Sequence, residues 1–310
     1  MKRRAVFLAL AVAAACIPDV PSNDALVGAP RILAVRAEPA EARPGAPVTY
    51  TPLVGSALVG SALVGSAAGA VPSPVVVWAY CLAPTPLTDD NAVSTACLDA
   101  GSLDPLGAGA TITGAVPVNA CSLFGPVAPP GGGRPRDPDT TGGYYQPLRV
   151  DLAGAVPAFA LERIACDLAN APAAQASAFA KAYTANANPQ LMPLVATTAG
   201  APVAFDAIVA GSRVDLTASW PAASAETYAY YDAAANVVTS RREAMQLAWY
   251  ASAGAVDRET TGRGEDDPAT TSDDAWTAPG TPGPARLWVV LRDSRGGVDF
   301  ASYDVTVRAR

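Results

Sequence analysis

The chain has 310 residues, a formal net charge of −7 and a hydrophobic share of 50%, much of it alanine. That apolar content suffices for a core and excludes wholesale disorder, and the acidic balance excludes nucleic acid as a main partner, because phosphate binding needs a basic face. No histidine occurs, which removes Ser-His and Cys-His nucleophile pairs, histidine bases and histidine-ligated metal sites.

The first element in the chain is an export signal. Lys2, Arg3 and Arg4 precede an apolar run over residues 5–12, then three alanines and Cys16. The run is too short to serve as a mature bilayer span. Ala13-Ala14-Ala15-Cys16 resembles the lipobox of bacterial lipoproteins, with Ala13 where leucine is usual. Ordinary cleavage after Ala15 is the alternative. The resemblance implies that residues 1–15 are a signal peptide, that Cys16 carries lipid, and that residues 16–29 are anchor and linker. Ile17 after the cysteine, rather than aspartate, points to the outer membrane of the cell envelope. Each buried CH₂ of an acyl chain contributes about 0.8 kcal/mol to anchoring.

Loosely alternating residues 31–37 predict a strand, Arg43-Pro44-Gly45 a turn, and residues 47–51 a second strand. Residues 53–67 repeat LVGSA three times. A five-residue period matches no solenoid or heptad and would reverse strand facing with each copy, so the extra copies are expected to bulge out as a loop or extended hairpin. Gly55, Gly60, Gly65 and Gly69 dilute this uncharged stretch, and Pro72 and Pro74 interrupt it, which argues against a transmembrane helix. Residues 75–81 form a β-prone run containing Trp78, the third strand of a sandwich with that tryptophan in its core.

Cys81, Cys97, Cys121 and Cys166 make an even set in an exported chain and predict two disulfides. Three pairings are open; the preferred one joins chain neighbours, Cys81–Cys97 and Cys121–Cys166. The segment 82–143 is irregular and rich in Pro, Gly and Asp. Within it Asp137 and Asp139 precede a Gly-Gly turn and are candidate calcium ligands, since carboxylate and carbonyl oxygens suffice for that ion. Asp257-Arg258-Glu259, Glu265-Asp266-Asp267 and Asp273-Asp274 are weighed in the same way against simple solvated acidic loops.

Tyr144, Tyr145, Tyr228, Tyr230 and Tyr231 are candidates for a sugar-stacking platform, against ordinary strand packing. Residues 159–168 break the β pattern and lead into an alanine-rich helix over 173–184, whose Phe179 and Tyr183 share a face packed on the first domain. Asn186 to Pro189 end that helix and mark the domain junction.

A weaker second copy follows. Gly45-Ala46-Pro47-Val48-Thr49-Tyr50 lines up with Gly211-Ser212-Arg213-Val214-Asp215-Leu216, and Val77-Trp78-Ala79-Tyr80 with Ala248-Trp249-Tyr250-Ala251. Pro30–Val35 lines up with Pro189–Leu194 in the same order. The chain therefore reads as two domains, 30–188 and 189–310.

Trp276-Thr277-Ala278-Pro279-Gly280, followed by Leu287-Trp288-Val289-Val290-Leu291-Arg292-Asp293-Ser294-Arg295-Gly296-Gly297, resembles the end of bacterial Ig-like and PKD-like domains. There an aromatic-x-x-Pro step leads into strand F, and an Asp-x-x-Gly turn leads to strand G, here residues 300–307. The whole layout resembles Ig-like surface lipoproteins of Gram-negative bacteria. The resemblance implies a mainly β fold: two tandem Ig-like β-sandwich domains, the first with a disulfide-bonded irregular insertion and one helix. It also implies a non-catalytic structural, adhesive or ligand-binding module, anchored to the membrane by lipid, with an envelope protein or polysaccharide as partner and no cofactor. The competing class is a carboxylate-dependent hydrolase on the same scaffold. Glu162, Glu243 and Glu259 are its less clustered glutamates, and Lys181 lies in no Ser-x-x-Lys motif.

Overall fold

The structure, a computed structural model, describes residues 24–56, 75–86, 92–126 and 140–310. The signal, Cys16, the second and third LVGSA copies, Asp137 and Asp139 lie outside them.

The first half of the chain supplies β1 (Arg31–Glu38), β2 (Glu41–Ala42), β3 (Pro47–Gly55), β4 (Val76–Cys81), β5 (Leu103–Ala108), β6 (Ile112–Ala115), β7 (Gly143–Leu152) and β8 (Ala158–Ala165). A short helix, α1 (Ala120–Phe124), lies between β6 and β7. One sheet runs β1-β3-β6 and the other β2-β8-β7-β4-β5. They face each other across one core, to which Val48 and Tyr50 come from the smaller sheet and Trp78, Leu148 and Ile164 from the larger. Trp78 is fully buried on β4, as an Ig-like sandwich places its tryptophan. Cys81 is bonded to Cys97 and Cys121 to Cys166, with Cα atoms 5.4 and 5.8 Å apart, the pairing of chain neighbours.

The second half supplies β9 (Val195–Thr198), β10 (Ala201–Pro202), β11 (Ile208–Val209), β12 (Arg213–Ser219), β13 (Thr227–Asp232), β14 (Val237–Arg242), β15 (Met245–Ala251), β16 (Ala255–Val256), β17 (Thr260–Arg263), β18 (Thr271–Thr277), β19 (Gly283–Asp293) and β20 (Val298–Arg308). Its sheets are β10-β9-β12-β18-β16 and β11-β20-β19-β15-β17, with β13–β14 as a separate hairpin. The larger sheet of the first sandwich is repeated here strand for strand. Even the short parallel strand recurs, β2 on β8 and β11 on β20. The β19–β20 turn follows the expected motif: Asp293 accepts the N–H groups of Arg295 and Gly297, and Gly296 takes a positive φ of 106°.

Four expectations are corrected. The segment 82–143 is not irregular throughout, since it contains β5, β6 and α1, with β5 and β6 each an edge strand of a sheet. Residues 159–168 do not break the β pattern; they contribute most of β8. The pattern is hidden because Glu162, Arg163 and Ile164 are all buried, so both faces of the strand are covered and alternation is lost. The counterpart of β1 is β9, not Pro189–Leu194, which lies outside the strands and meets β12 through the Met192 N–H and the Ser219 carbonyl. The helix, α2 (Ala173–Ala182), packs Phe179 against Ala229 and Tyr231 of the β13–β14 hairpin instead of the first core. Its apolar face is small and meets the nearest exposed aromatic strand.

Candidate functional site

The two sandwiches meet over an apolar patch. A register shift between Ile32 and Ala34 on β1 coincides with burial of Leu33 and Ala34 at this patch, while Ile32 and Val35 pack on the first core. Val27, Leu33, Ala34 and Leu53 pack there against Trp288, Val290 and Val298. On β19, Leu287, Val289 and Leu291 enter the second core while Trp288 and Val290 face the first sandwich. The strand is thus buried on both faces, and each large side chain so buried contributes about 1.5–3 kcal/mol.

Beside this patch lie two buried charge clusters. The Glu41 carboxylate accepts hydrogen bonds from Arg163 Nε at 3.0 Å, from the backbone N–H of Asn186 at 2.9 Å and from the Tyr183 hydroxyl. Arg163 also donates to Thr141 Oγ1 at 3.0 Å. It lies so close to Gly143 that a Cβ there would meet the guanidinium at 2.1 Å and displace it from Glu41. In the second cluster Arg295 donates to Glu243 Oε1 at 2.6 Å, to Glu226 Oε2 at 2.9 Å and to the Thr184 carbonyl at 2.9 Å. Burial, and then the neighbouring Asp293, push the Glu243 carboxyl up to about 7 against the pull of Arg295.

The connecting residues are clamped between these clusters. Asn186 Nδ2 reaches the Asp293 carboxylate at 3.3 Å, and Asn188 donates to the Ala37 carbonyl at 2.6 Å while accepting from the Val298 N–H at 2.8 Å. Arg36 pairs with Asp299 at 3.1 Å across the same seam. The junction read from sequence as a helix stop is therefore hydrogen-bonded to both sandwiches.

A half-open cleft of ≈ 390 Å³ runs along the seam. It lies where β8 runs beyond its pairing with β2 at Arg163 and Ile164, with residues 158–162 along one side and β1 along the other. Apolar walls from Val35, Leu148, Phe159 and Val298 surround the carboxyl of Glu162. Glu162 is 2% exposed, and among the described residues neither of its oxygens has a hydrogen-bond partner. Burial, and then repulsion from Glu41, push it up to about 9. Tyr50 also lines the cleft and shares a 2.8 Å hydrogen bond with Tyr80. The second cleft carboxylate, Asp293, is occupied by the N–H groups of its own turn and by Asn186.

The tyrosines of the expected platform fall into separate environments. Tyr144 and Tyr231 are buried in different clusters. Tyr145 donates to the Arg295 carbonyl, and guanidinium groups lie over the rings of Tyr145, Tyr228 and Tyr230, from Arg163, Arg295 and Arg241 at 6.0, 4.8 and 3.5 Å. Arg295 thus draws Tyr145 and Tyr228 together. In the acidic loops, Arg258 pairs with Asp274, Arg213 with Asp257, and Thr217 with Asp273. Among the described residues no three carboxylate or thiol groups converge as a metal would require, and no helix is long and apolar enough to cross a membrane. Sequence reasoning set Glu162 and Glu243 apart from the clustered acids without assigning them a place. It passed over Glu41 and Arg163, although Glu162-Arg163 between two apolar residues was the available signal, and named Asn186 and Arg295 only within a helix stop and a turn motif.

No family model and no curated protein matches the chain. Among solved structures it is similar to a lipoprotein of Bacteroides thetaiotaomicron, at 14% identity over 38% of this chain and 83% of that one, with a TM-score of 0.22. The adhesin InvE of Yersinia pseudotuberculosis is 15% identical over 89% of this chain, with a TM-score of 0.22, and the match spans 58% of the adhesin's own length. The FN1–FN3 domains of chicken CNTN1 are 11% identical over 91% of this chain and 66% of that one, at a TM-score of 0.20. Likenesses at this level carry no argument about ligand or activity.

Proposed function

We propose that the chain is a non-catalytic, lipid-anchored module of the cell envelope, in which two tandem Ig-like domains, 30–188 and 189–310, act as a stiff spacer or adhesive arm. The observation that carries this reading is the strut at residues 184–188, bonded to both sandwiches through buried charges. An arm that holds a binding surface away from a membrane needs a junction that does not bend, and inter-domain contacts of ordinary size leave domains mobile. The non-catalytic reading is supported by the cleft: Asp293 is bonded within its turn, so Glu162 has no second available carboxylate opposite it. The lipid anchor rests on the Cys16 lipobox, and the outer-membrane placement on Ile17 after it.

Metabolic labelling with radioactive palmitate tests the anchor. Label is expected in the wild-type protein, and Cys16→Ser is expected to release the protein from membranes or block its maturation. Absence of label from the wild type overturns the anchor. Glycan and peptide arrays test the module: retained ligand without turnover supports it, and product formation revives the hydrolase.

A further inference from the structure

The two sandwiches provide an internal control for each other, because their ladders have the same register. Trp78 pairs with Val150 as Trp249 pairs with Val289, and Tyr80 pairs with Leu148 as Ala251 pairs with Leu287. Carried across the sheet, Gln146 opposite Glu162 corresponds to Ala285 opposite Val305. Tyr50 corresponds to Leu216 by the repeat of Val48-Thr49-Tyr50 in Val214-Asp215-Leu216. At equivalent buried positions, spread over two adjacent rows of the register, the second copy thus has Leu216, Ala251, Ala285 and Val305 where the first has Tyr50, Tyr80, Gln146 and Glu162. The fold itself does not require the polar set.

From this geometry we propose that the cleft is a binding site for a small molecule with an apolar body and one ammonium group, held by the carboxylate of Glu162. Among the described residues both oxygens of Glu162 and the carbonyl oxygen of Gln146 across the ladder are without partners, and all three are acceptors once Glu162 is ionised. A ligand that satisfies them must bring donors, and an ammonium carries three. Arg292, the guanidinium in the wall, donates to the Leu33 carbonyl and to Tyr250 and keeps further N–H groups, so a carboxylate is the competing ligand and hexanoate tests it. The walls combine apolar side chains such as Val35, Leu148, Phe159 and Val298 with polar ones such as Tyr145, Asp293 and Ser294, and the volume lies within the range of small-molecule sites, about 300–1,000 Å³. The site does not depend on envelope placement or on the spacer reading.

Binding releases one proton. Glu162 is protonated in the empty cleft near neutrality, and the ammonium favours the carboxylate, so the acid's O–H bond breaks and its proton passes to the buffer. The groups around Glu162 do not compete for this role. Glu41 is neutralised by Arg163, Asp293 is held in its turn, Arg292 is paired, Tyr145 is bonded to the Arg295 carbonyl, and burial raises both Tyr50 and Tyr80 so that they stay neutral. Affinity therefore rises with pH, by up to about tenfold per unit below pH 9.

The test is isothermal titration of the full chain, disulfides formed, with n-hexylammonium, n-hexanol and hexanoate, in buffers of differing ionisation enthalpy. The expected result is one saturable site for n-hexylammonium, about one proton released at pH 7, and weaker binding of the other two. Glu162→Gln is expected to weaken it by at least about tenfold and to abolish proton release, as expected for loss of a charge-assisted hydrogen bond. Glu162→Val, which copies the second sandwich, is the independent variant and is expected to bind no more tightly than Glu162→Gln. No saturable binding of n-hexylammonium overturns the proposal, as does equal binding of n-hexanol, tighter binding of hexanoate, or wild-type affinity in either variant.

Discussion

The first sandwich and the second share a strand order and differ in what fills it. The second is built around Trp249, Trp276, Leu216, Leu247 and Leu287, and contains no cysteine. The first replaces part of that apolar interior with Tyr50, Tyr80, Gln146 and Glu162, and has two disulfides. One topology thus tolerates polar side chains in its interior when the loss of packing is offset by cross-links in the chain and by docking against a neighbour. The difference makes the first sandwich the dependent partner.

The largest expected effect is on the cross-links. The loops closed by Cys81–Cys97 and Cys121–Cys166 span 16 and 45 residues, which corresponds to about 3 and 4 kcal/mol in the chain-entropy model. Reduction is expected to raise amide exchange in β4, β7 and β8 far more than in β15 and β19. Equal acceleration in both sandwiches would contradict the asymmetry.

Next in size is the pH dependence. A carboxyl whose folded pKa is raised binds more protons when folded, so stability is greatest at low pH and falls as pH rises. For Glu162 the window runs from about pH 4.5 to about 9, with a slope of up to about 1.4 kcal/mol per unit. Glu243 adds to the same fall between about 4.5 and 7. Urea denaturation across this range is expected to show the decline in the wild type and a shallower one in Glu162→Gln; identical slopes would remove Glu162 from the account.

Arg295→Met is expected to cost about 3–5 kcal/mol, because Glu243 is left buried and unpaired. A loss below about 1 kcal/mol would show that the strut is not needed for stability. The smallest contrast is within the repeat. Leu53→Ala in the first LVGSA copy is expected to cost about 2–5 kcal/mol, since Leu53 packs at the seam. Deletion of the third copy should change stability by less than about 1 kcal/mol, because closure entropy varies slowly with loop length. A loss of several kcal/mol on that deletion would place the copy in a core.

The strands around Trp78 and Trp249 were legible because each depends on local pattern, and the even cysteine count announced two disulfides, whose pairing only the structure decides. β8 was not, since burial on both faces erases the period of two that reveals a strand. The buried charges were equally hidden. Glu41 and Arg163 are 122 residues apart in sequence, and Arg295 and Glu243 are 52 apart, so neither pair leaves a spacing signal. Glu162 stood out as an unclustered acid, but the cleft around it brings β8 beside β1, which are distant in sequence.

Residual dipolar couplings, measured for the amides of both sandwiches in one aligned sample, test the fixed strut most directly. If Asn186, Asn188 and the two charge clusters hold the junction, couplings from β4, β7 and β8 and from β15, β19 and β20 fit a single alignment tensor. Two tensors of different magnitude or orientation would mean that the sandwiches move independently and that the junction is a hinge.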